Sequence, residues 1–270
     1  MTEMEATNAS ALSGRLVGII WGDAKTGKTT WACSLPGRKL LINFDPEGFS
    51  SIAYREDVDI IDLSIYTPTE AMREADKVAG FILENAETYS SVITDSMTTL
   101  TEIAMHDAVA QGIGKSDKFT PTIDAPGLSA YGGRNNRVNN VLSKILRATG
   151  QKKLNCFFIA HQDDPEFSQD GKTIVQQTIM LSAKIRNTAA LKVSEVYYLG
   201  VDGDRRTVYL APHGVKKPMG SRVFNTTVFK KFQLDYDIDK PDEEQQCSLH
   251  SIVTAWKDVG FKKLTALPKK

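Results

Sequence analysis

The chain has 270 residues, 41% of them hydrophobic, enough to fill the core of one large α/β domain without disulfide or metal staples. Its 33 basic and 33 acidic residues cancel, so bulk charge gives no ground for nucleic acid or membrane binding, which must be argued from local clusters. Three cysteines, Cys33, Cys156 and Cys247, odd in number and without histidines at metal spacing, argue against a disulfide framework or zinc site and for a reducing cytoplasm.

In chain order, residues 1–13 are polar and read as a flexible tail, with neither the basic start nor the apolar stretch of a signal peptide. No apolar run approaches the roughly 20 residues of a membrane span, so the expected location is intracellular, with no membrane partner. RLVGIIWG predicts a buried strand, and KTTWACSLP a helix stopped by Pro36-Gly37. KLLINF is a second buried run that meets DPEG. TPTEAMREADKVAGFILENAETY predicts one helix with Thr69 as its cap, and SSVITDSMTTL a third buried strand ending at Asp95. This alternation predicts an α/β fold whose mainly parallel sheet is covered by helices on both faces.

Residues 111–133, rich in Gly, Pro and Ser, read as a long irregular segment, the kind that is functional or disordered inside a compact domain. RNNRVNNVLSKILRATG is amphipathic, with Val138, Val141, Leu142, Ile145 and Leu146 on one face and Arg134, Arg137, Lys144 and Arg147 on others, and stops at Gly150. LNCFFIA predicts a fourth strand ending at His161-Gln162, before a second irregular polar stretch. VSEVYYLGVDGDRRTVYLAP reads as two strands around an Asp-Gly turn, an antiparallel hairpin at the sheet edge. Residues 229–270 read as an acidic linker, a short amphipathic helix and a basic tail, leaving 14–228 as the core domain.

The segment between the first strand and helix, Gly22-Asp23-Ala24-Lys25-Thr26-Gly27-Lys28-Thr29-Thr30, has the spacing of a P-loop. There, backbone N–H groups surround phosphate oxygens, and glycines are needed because side chains would block the approach. Lys28 is placed to reach the β- and γ-phosphates of ATP and Thr29 to offer its hydroxyl to Mg²⁺. Asp95, at the tip of an apolar strand, has the position of the carboxylate that holds Mg²⁺ through water. Glu47 lies just beyond another strand end, where a carboxylate polarises an attacking water, and Asp45 competes for that role.

LLINFDPEG, VITDSMTTL and CFFIAHQ, in that order after the glycine loop, resemble the strand ends of RecA-type recombinase ATPases. The resemblance covers about residues 14–228 and is closest to the compact RecA-like ATPases of phages that promote single-strand annealing. It implies a RecA-like P-loop NTPase in which Glu47 activates water, Asp95 with Ser96 closes the metal-binding strand, and Gln162 senses the γ-phosphate. His161 stands where RecA proteins commonly carry Asn, so either His161 or Gln162 faces the phosphate.

By the same resemblance, the segments 111–133 and 163–180 contact DNA. The first has Lys115, Lys118, Phe119 and Tyr131, with Arg134 and Arg137 following; the second has Phe167 and Lys172. Cations that track a backbone beside aromatic platforms suit sequence-independent single-strand binding, although Asp163, Asp164, Glu166 and Asp170 oppose it. Lys216, Lys217 and Arg222 lie near where RecA-like proteins send cations onto a neighbouring subunit's γ-phosphate. The implied function is a DNA-stimulated ATPase that assembles as a homo-oligomeric ring or filament on single-stranded DNA for recombination or annealing. A single-strand-binding protein or a nuclease would be its further partners. The same fold also serves helicases and packaging motors, and small-molecule kinases, for which Arg205-Arg206 is the one candidate lid.

Overall fold

The computed structural model describes residues 14–268 apart from 170 and 172. The N-terminal tail 1–13 and Lys172 therefore lie outside the described residues. The first strand, β1 (Val17–Gly22), is buried along its whole length. Alternate side chains go to opposite faces: Val17, Ile19 and Trp21 enter one core, Leu16 and Ile20 the other. The same period of two divides β5 (Asn155–His161) into Cys156, Phe158 and Ala160 against Phe157 and Ile159. Strands buried on both faces must be apolar throughout, which is why these runs look continuous rather than alternating.

Strands β2 (Lys39–Asn43), β3 (Val58–Asp62), β4 (Ser91–Asp95), β8 (Glu195–Asp202), β9 (Arg205–Tyr209) and β11 (Lys231–Gln233) complete the main order, β11-β9-β8-β1-β5-β4-β2-β3. The short β10 (Gly220–Ser221) pairs with β8, and β6 (Glu166–Phe167) with β7 (Ile174–Gln176) forms a separate small hairpin. Pairing is parallel from β3 through β8 and antiparallel beyond. The β8–β9 hairpin forms as the Asp-Gly turn predicts; β8 lies directly against β1, and β11 covers the outer side of β9.

One face is covered by α4 (Met97–Ala110) and α5 (Gly127–Gln151), with α2 (Pro68–Ala75), α3 (Val78–Glu84) and α6 (Ala183–Lys192) packed around them; the other holds α1 (Lys28–Ala32) and α7 (Leu249–Asp258). The single helix expected after Thr69 is two helices. Its cap is Thr67, whose N–H and hydroxyl both donate to Glu70, at 3.1 and 2.6 Å, in a capping box. The apolar pattern runs on unbroken because Met72, Ala75, Val78 and Ile82 on either side of the break enter one core.

Helix α5 starts at Gly127, so residues 127–133 belong to a helix and only 111–126 are irregular. Gly133 explains the difference: a Cβ there would stand 2.9 Å from Ile113 Cδ1 and 3.6 Å from Ala108 Cβ, so its lack of a side chain lets α5 close on α4. A glycine that reads as a loop signal is here a packing device.

The C-terminal segment, expected as an acidic linker, a short helix and a tail, does contain that helix, α7, and is stitched to the same core. The Trp31 indole N–H donates to Cys247 O at 2.8 Å, and the His250 and Leu249 N–H groups donate to Ser34 O and Oγ at 2.7 and 2.8 Å. Asp242 in the acidic stretch pairs with Arg55 at 2.6 Å, both side chains largely buried. No helix among the described residues is long and apolar enough to cross a membrane.

Candidate functional site

All the functional candidates at strand ends fall at one edge of the sheet, because β1, β2, β4 and β5 run parallel and end together. At the tip of β1, Gly22 lies against β8: a Cβ would stand 2.0 Å from Leu199 O, so no other residue fits. The chain then loops to Gly27, in the left-handed region at φ 92°, which opens α1. Lys28 is buried and folds back onto this loop, its Nζ donating to Gly22 O at 3.0 Å and Asp23 O at 2.5 Å. Burial lowers its pKa, while the charges of Asp95, Asp23 and Asp45 oppose that shift.

Thr29 Oγ1 donates to Asp95 Oδ2 at 2.6 Å, so the first turn of α1 meets the end of β4 across the intervening β5. Asp95 is only 3% exposed. Burial raises its pKa to about 6; the Thr29 hydrogen bond opposes the rise and the charge of Asp45 adds to it. One hydroxyl and one carboxylate, both oxygen donors, suit Mg²⁺, which takes few protein ligands and completes its shell with water and phosphate. Among the described residues no group of three or more His, Cys, Asp or Glu could hold a metal ion.

Asp45 belongs to a network. Its Oδ1 accepts from Ser96 Oγ at 3.1 Å, and its Oδ2 lies 3.5 Å from His161 Nε2. Ser96 Oγ also caps α4 by accepting from Thr99 N–H at 3.2 Å. Burial pushes the Asp45 carboxyl up, but bonds from His161, Thr99 and Ser96 outweigh it and hold the pKa below the usual carboxylate range. Glu47 is exposed at φ 60°, and its carboxylate has no partner among the described residues. The Gln162 N–H donates to Gly22 O at 3.1 Å, while its Oε1 is buried without a partner.

Lys28, Thr29, Asp45, Asp95 and His161 are among the residues that line a cavity of about 370 Å³. Ala24, Lys25, Gly27, Lys28, Thr29 and Thr30 line it from the loop, Asp45, Asp95 and His161 from strand ends, and Gly48 and Ser51 from the turn after Glu47. Gly22, Asp23, Thr26, Glu47 and Gln162 do not line it, although each adjoins a residue that does or bonds to the loop. Of the pair at the end of β5, His161 rather than Gln162 faces the cavity. Arg206 on β9, named in the sequence only as half of a candidate kinase lid, also lines it, because strand pairing brings β9 to the loop.

The DNA candidates divide. Lys115, Lys118, Phe119 and Tyr131 are exposed, Phe167 is exposed on β6, and the Arg134 guanidinium lies 5.0 Å over the Tyr131 ring. Arg137 does not belong with them: it pairs with the buried Asp107 and donates to Gln111 Oε1 at 2.8 Å, fastening α5 to α4. A charge needed to neutralise a buried carboxylate is not free for phosphate. Lys216, expected to act across a subunit boundary, instead donates to the Tyr198 hydroxyl and stands 4.1 Å over that ring, beside β1 of its own chain. Burial lowers its pKa, with the Asp23 charge opposing. Lys217 and Arg222 are exposed.

A protein-family model described as an AAA domain matches residues 15–216, the span from the start of β1 to just past the β8–β9 hairpin. No curated protein matches the chain.

Proposed function

Because this chain belongs to the AAA domain family and is therefore a nucleotide-binding P-loop ATPase, we propose that it is a RecA-like ATPase that assembles on single-stranded DNA for recombination or annealing, as a phage-type protein would. The carrying observation is the Thr29–Asp95 hydrogen bond at 2.6 Å, which joins the loop to the metal-binding strand at the cavity edge. The loop N–H groups and Lys28 would hold the phosphates of ATP, and Thr29 with Asp95 would hold Mg²⁺, which would supply charge neutralisation on the phosphate oxygens.

Glu47 is the proposed base. Asp45 is committed to Ser96 and His161 and so positions its neighbours, whereas the exposed Glu47 has no side-chain partner among the described residues and directly precedes the cavity-lining Gly48 in the chain. Coupling to DNA is supported by chain connectivity. The exposed segment with Lys115, Lys118 and Phe119 follows α4, which is capped by Ser96, next to Asp95. The β6–β7 hairpin with Phe167 follows His161 and Gln162. A change at the phosphate therefore has a direct route to both surfaces. Lys217 and Arg222 remain the proposed cations for a neighbour's nucleotide in a ring or filament.

ATP turnover measured alone, with single-stranded DNA, with duplex DNA and with a panel of small phosphate acceptors tests this reading. Stimulation by single strands above duplex is expected. Stimulation by duplex alone would indicate a translocating motor, and consumption of a small acceptor would indicate a kinase; either result overturns the proposal.

A further inference from the structure

We infer that Arg206 is a nucleotide-binding residue acting within its own chain, a cation that grips the phosphate chain from the side of the loop opposite the hydrolytic groups. The inference rests on the nucleotide-site reading above and adds a residue to it. Arg206 Cδ, Nε and Cζ each lie 3.7 Å from the point that a Cβ on Gly27 would occupy, so the side chain lies over the loop where α1 begins. It lines the same cavity as Lys28, Thr30, Asp95 and His161. It is exposed, and among the described residues its guanidinium has no ion pair or hydrogen bond.

Its placement follows from strand pairing. Arg206 pairs with Val201 in the antiparallel β8–β9 ladder, past the last residues at which β8 is in register with β1. That puts it at the edge where the parallel strands end. Neighbouring strand residues point to opposite faces. Val208, two residues on, enters the core that contains Trp31 of α1, and Arg206 therefore projects to the face of α1. Arg205 does not: its Nη1 donates to Gln233 Oε1 at 2.8 Å. In the sheet order, Arg206 comes from the β8 side of β1, whereas His161, Asp95 and Asp45 come from or follow β5, β4 and β2 on the other side. The nucleotide thus lies between a cationic wall and the wall that orients metal and water.

A guanidinium presents a planar fork of donors that matches phosphate oxygens, and its hydrogen bonds to charged acceptors are among the stronger ones in proteins. Because Arg206 lies away from the water-positioning wall, its contribution is to ground-state binding of both ATP and ADP, with little effect on the chemical step.

The test measures the affinity of fluorescent ADP and ATP analogues with Mg²⁺, together with turnover at saturating ATP, for wild type, Arg206→Ala, Arg206→Lys, Arg205→Ala and Lys28→Ala, each checked by circular dichroism for folding. Arg206→Ala is expected to weaken both nucleotides by about tenfold or more, the scale of one charge-assisted bond, with saturated turnover within about threefold of wild type. Arg206→Lys should recover part of the affinity, and Arg205→Ala should bind as wild type. Unchanged affinity in Arg206→Ala with a clear loss in Lys28→Ala overturns this inference and leaves the nucleotide site intact. Unchanged affinity in both removes the site itself. Collapsed turnover with unchanged affinity also overturns it, because Arg206 would then serve the transition state. If Arg206→Ala fails to fold, Arg206→Gln, which removes the charge but keeps a long polar side chain, decides, and wild-type affinity for both nucleotides in that variant overturns the inference.

Discussion

Lys28→Ala is expected to reduce ATP hydrolysis to background and to weaken nucleotide binding by about tenfold or more, the scale of a hydrogen bond between charged groups. The Lys28 ammonium is already inside the site, buried and held by two carbonyls of its own loop. An incoming phosphate chain finds a desolvated positive charge and loses little to reorganisation. Three carboxylates, Asp95, Asp23 and Asp45, keep that charge in place despite burial. Without the Lys28 charge, Asp95 and Asp45, which line the cavity, would face the phosphates uncompensated, and both binding and turnover should fall. The check is steady-state hydrolysis together with fluorescent-nucleotide affinity on protein whose circular dichroism spectrum matches wild type. Normal turnover in this variant would remove the basis for a P-loop site.

Glu47→Gln is expected to lower turnover by about 10²-fold or more, the usual scale of a general base, and to leave ATP affinity near wild type. Gln keeps the size and most hydrogen bonding of Glu but cannot accept a proton. On the proposed RecA-like reading, in which the ATP state holds single strands and hydrolysis releases them, the variant should also dwell longer on DNA when ATP is present. Asp45→Asn should show neither effect strongly. It disturbs the contacts with Ser96 and His161, and its cost should fall mainly on stability, at about 1–3 kcal/mol for weakened bonds to a partly buried charge. Turnover and DNA residence times measured on the two variants decide the matter. If Asp45→Asn is the slow, DNA-retained variant, the two acids have exchanged roles.

What could be read from the chain was whatever a local pattern carries. Runs such as VGIIWG and NCFFIAH are apolar throughout because both faces are buried, and so they announce a parallel sheet. The spacing from Gly22 to Thr29 carries the loop, and an acid at the end of SVIT carries Asp95. Features made by distant pairing were silent. Arg137 and Asp107 are thirty residues apart, and only the close packing of α4 and α5 joins them. Arg206 reaches Gly27 through the order β9-β8-β1, which no local window contains. Strand β3, with the pattern VDIID and no fully buried residue, was too polar to stand out as a strand. Gly133 misled because helix packing and loops both use glycine.

Single-strand affinity as a function of bound nucleotide tests the central claim most directly. A labelled oligothymidylate is titrated with the full chain in the presence of Mg²⁺ and either a non-hydrolysable ATP analogue or ADP, and complex size is followed by sedimentation. The predicted result is binding at least about tenfold tighter with the ATP analogue, within the range of allosteric coupling between two sites, with several copies per strand. Equal affinity in the two nucleotide states, or no preference for the single strand over duplex, would contradict the coupling of this ATP site to single-stranded DNA.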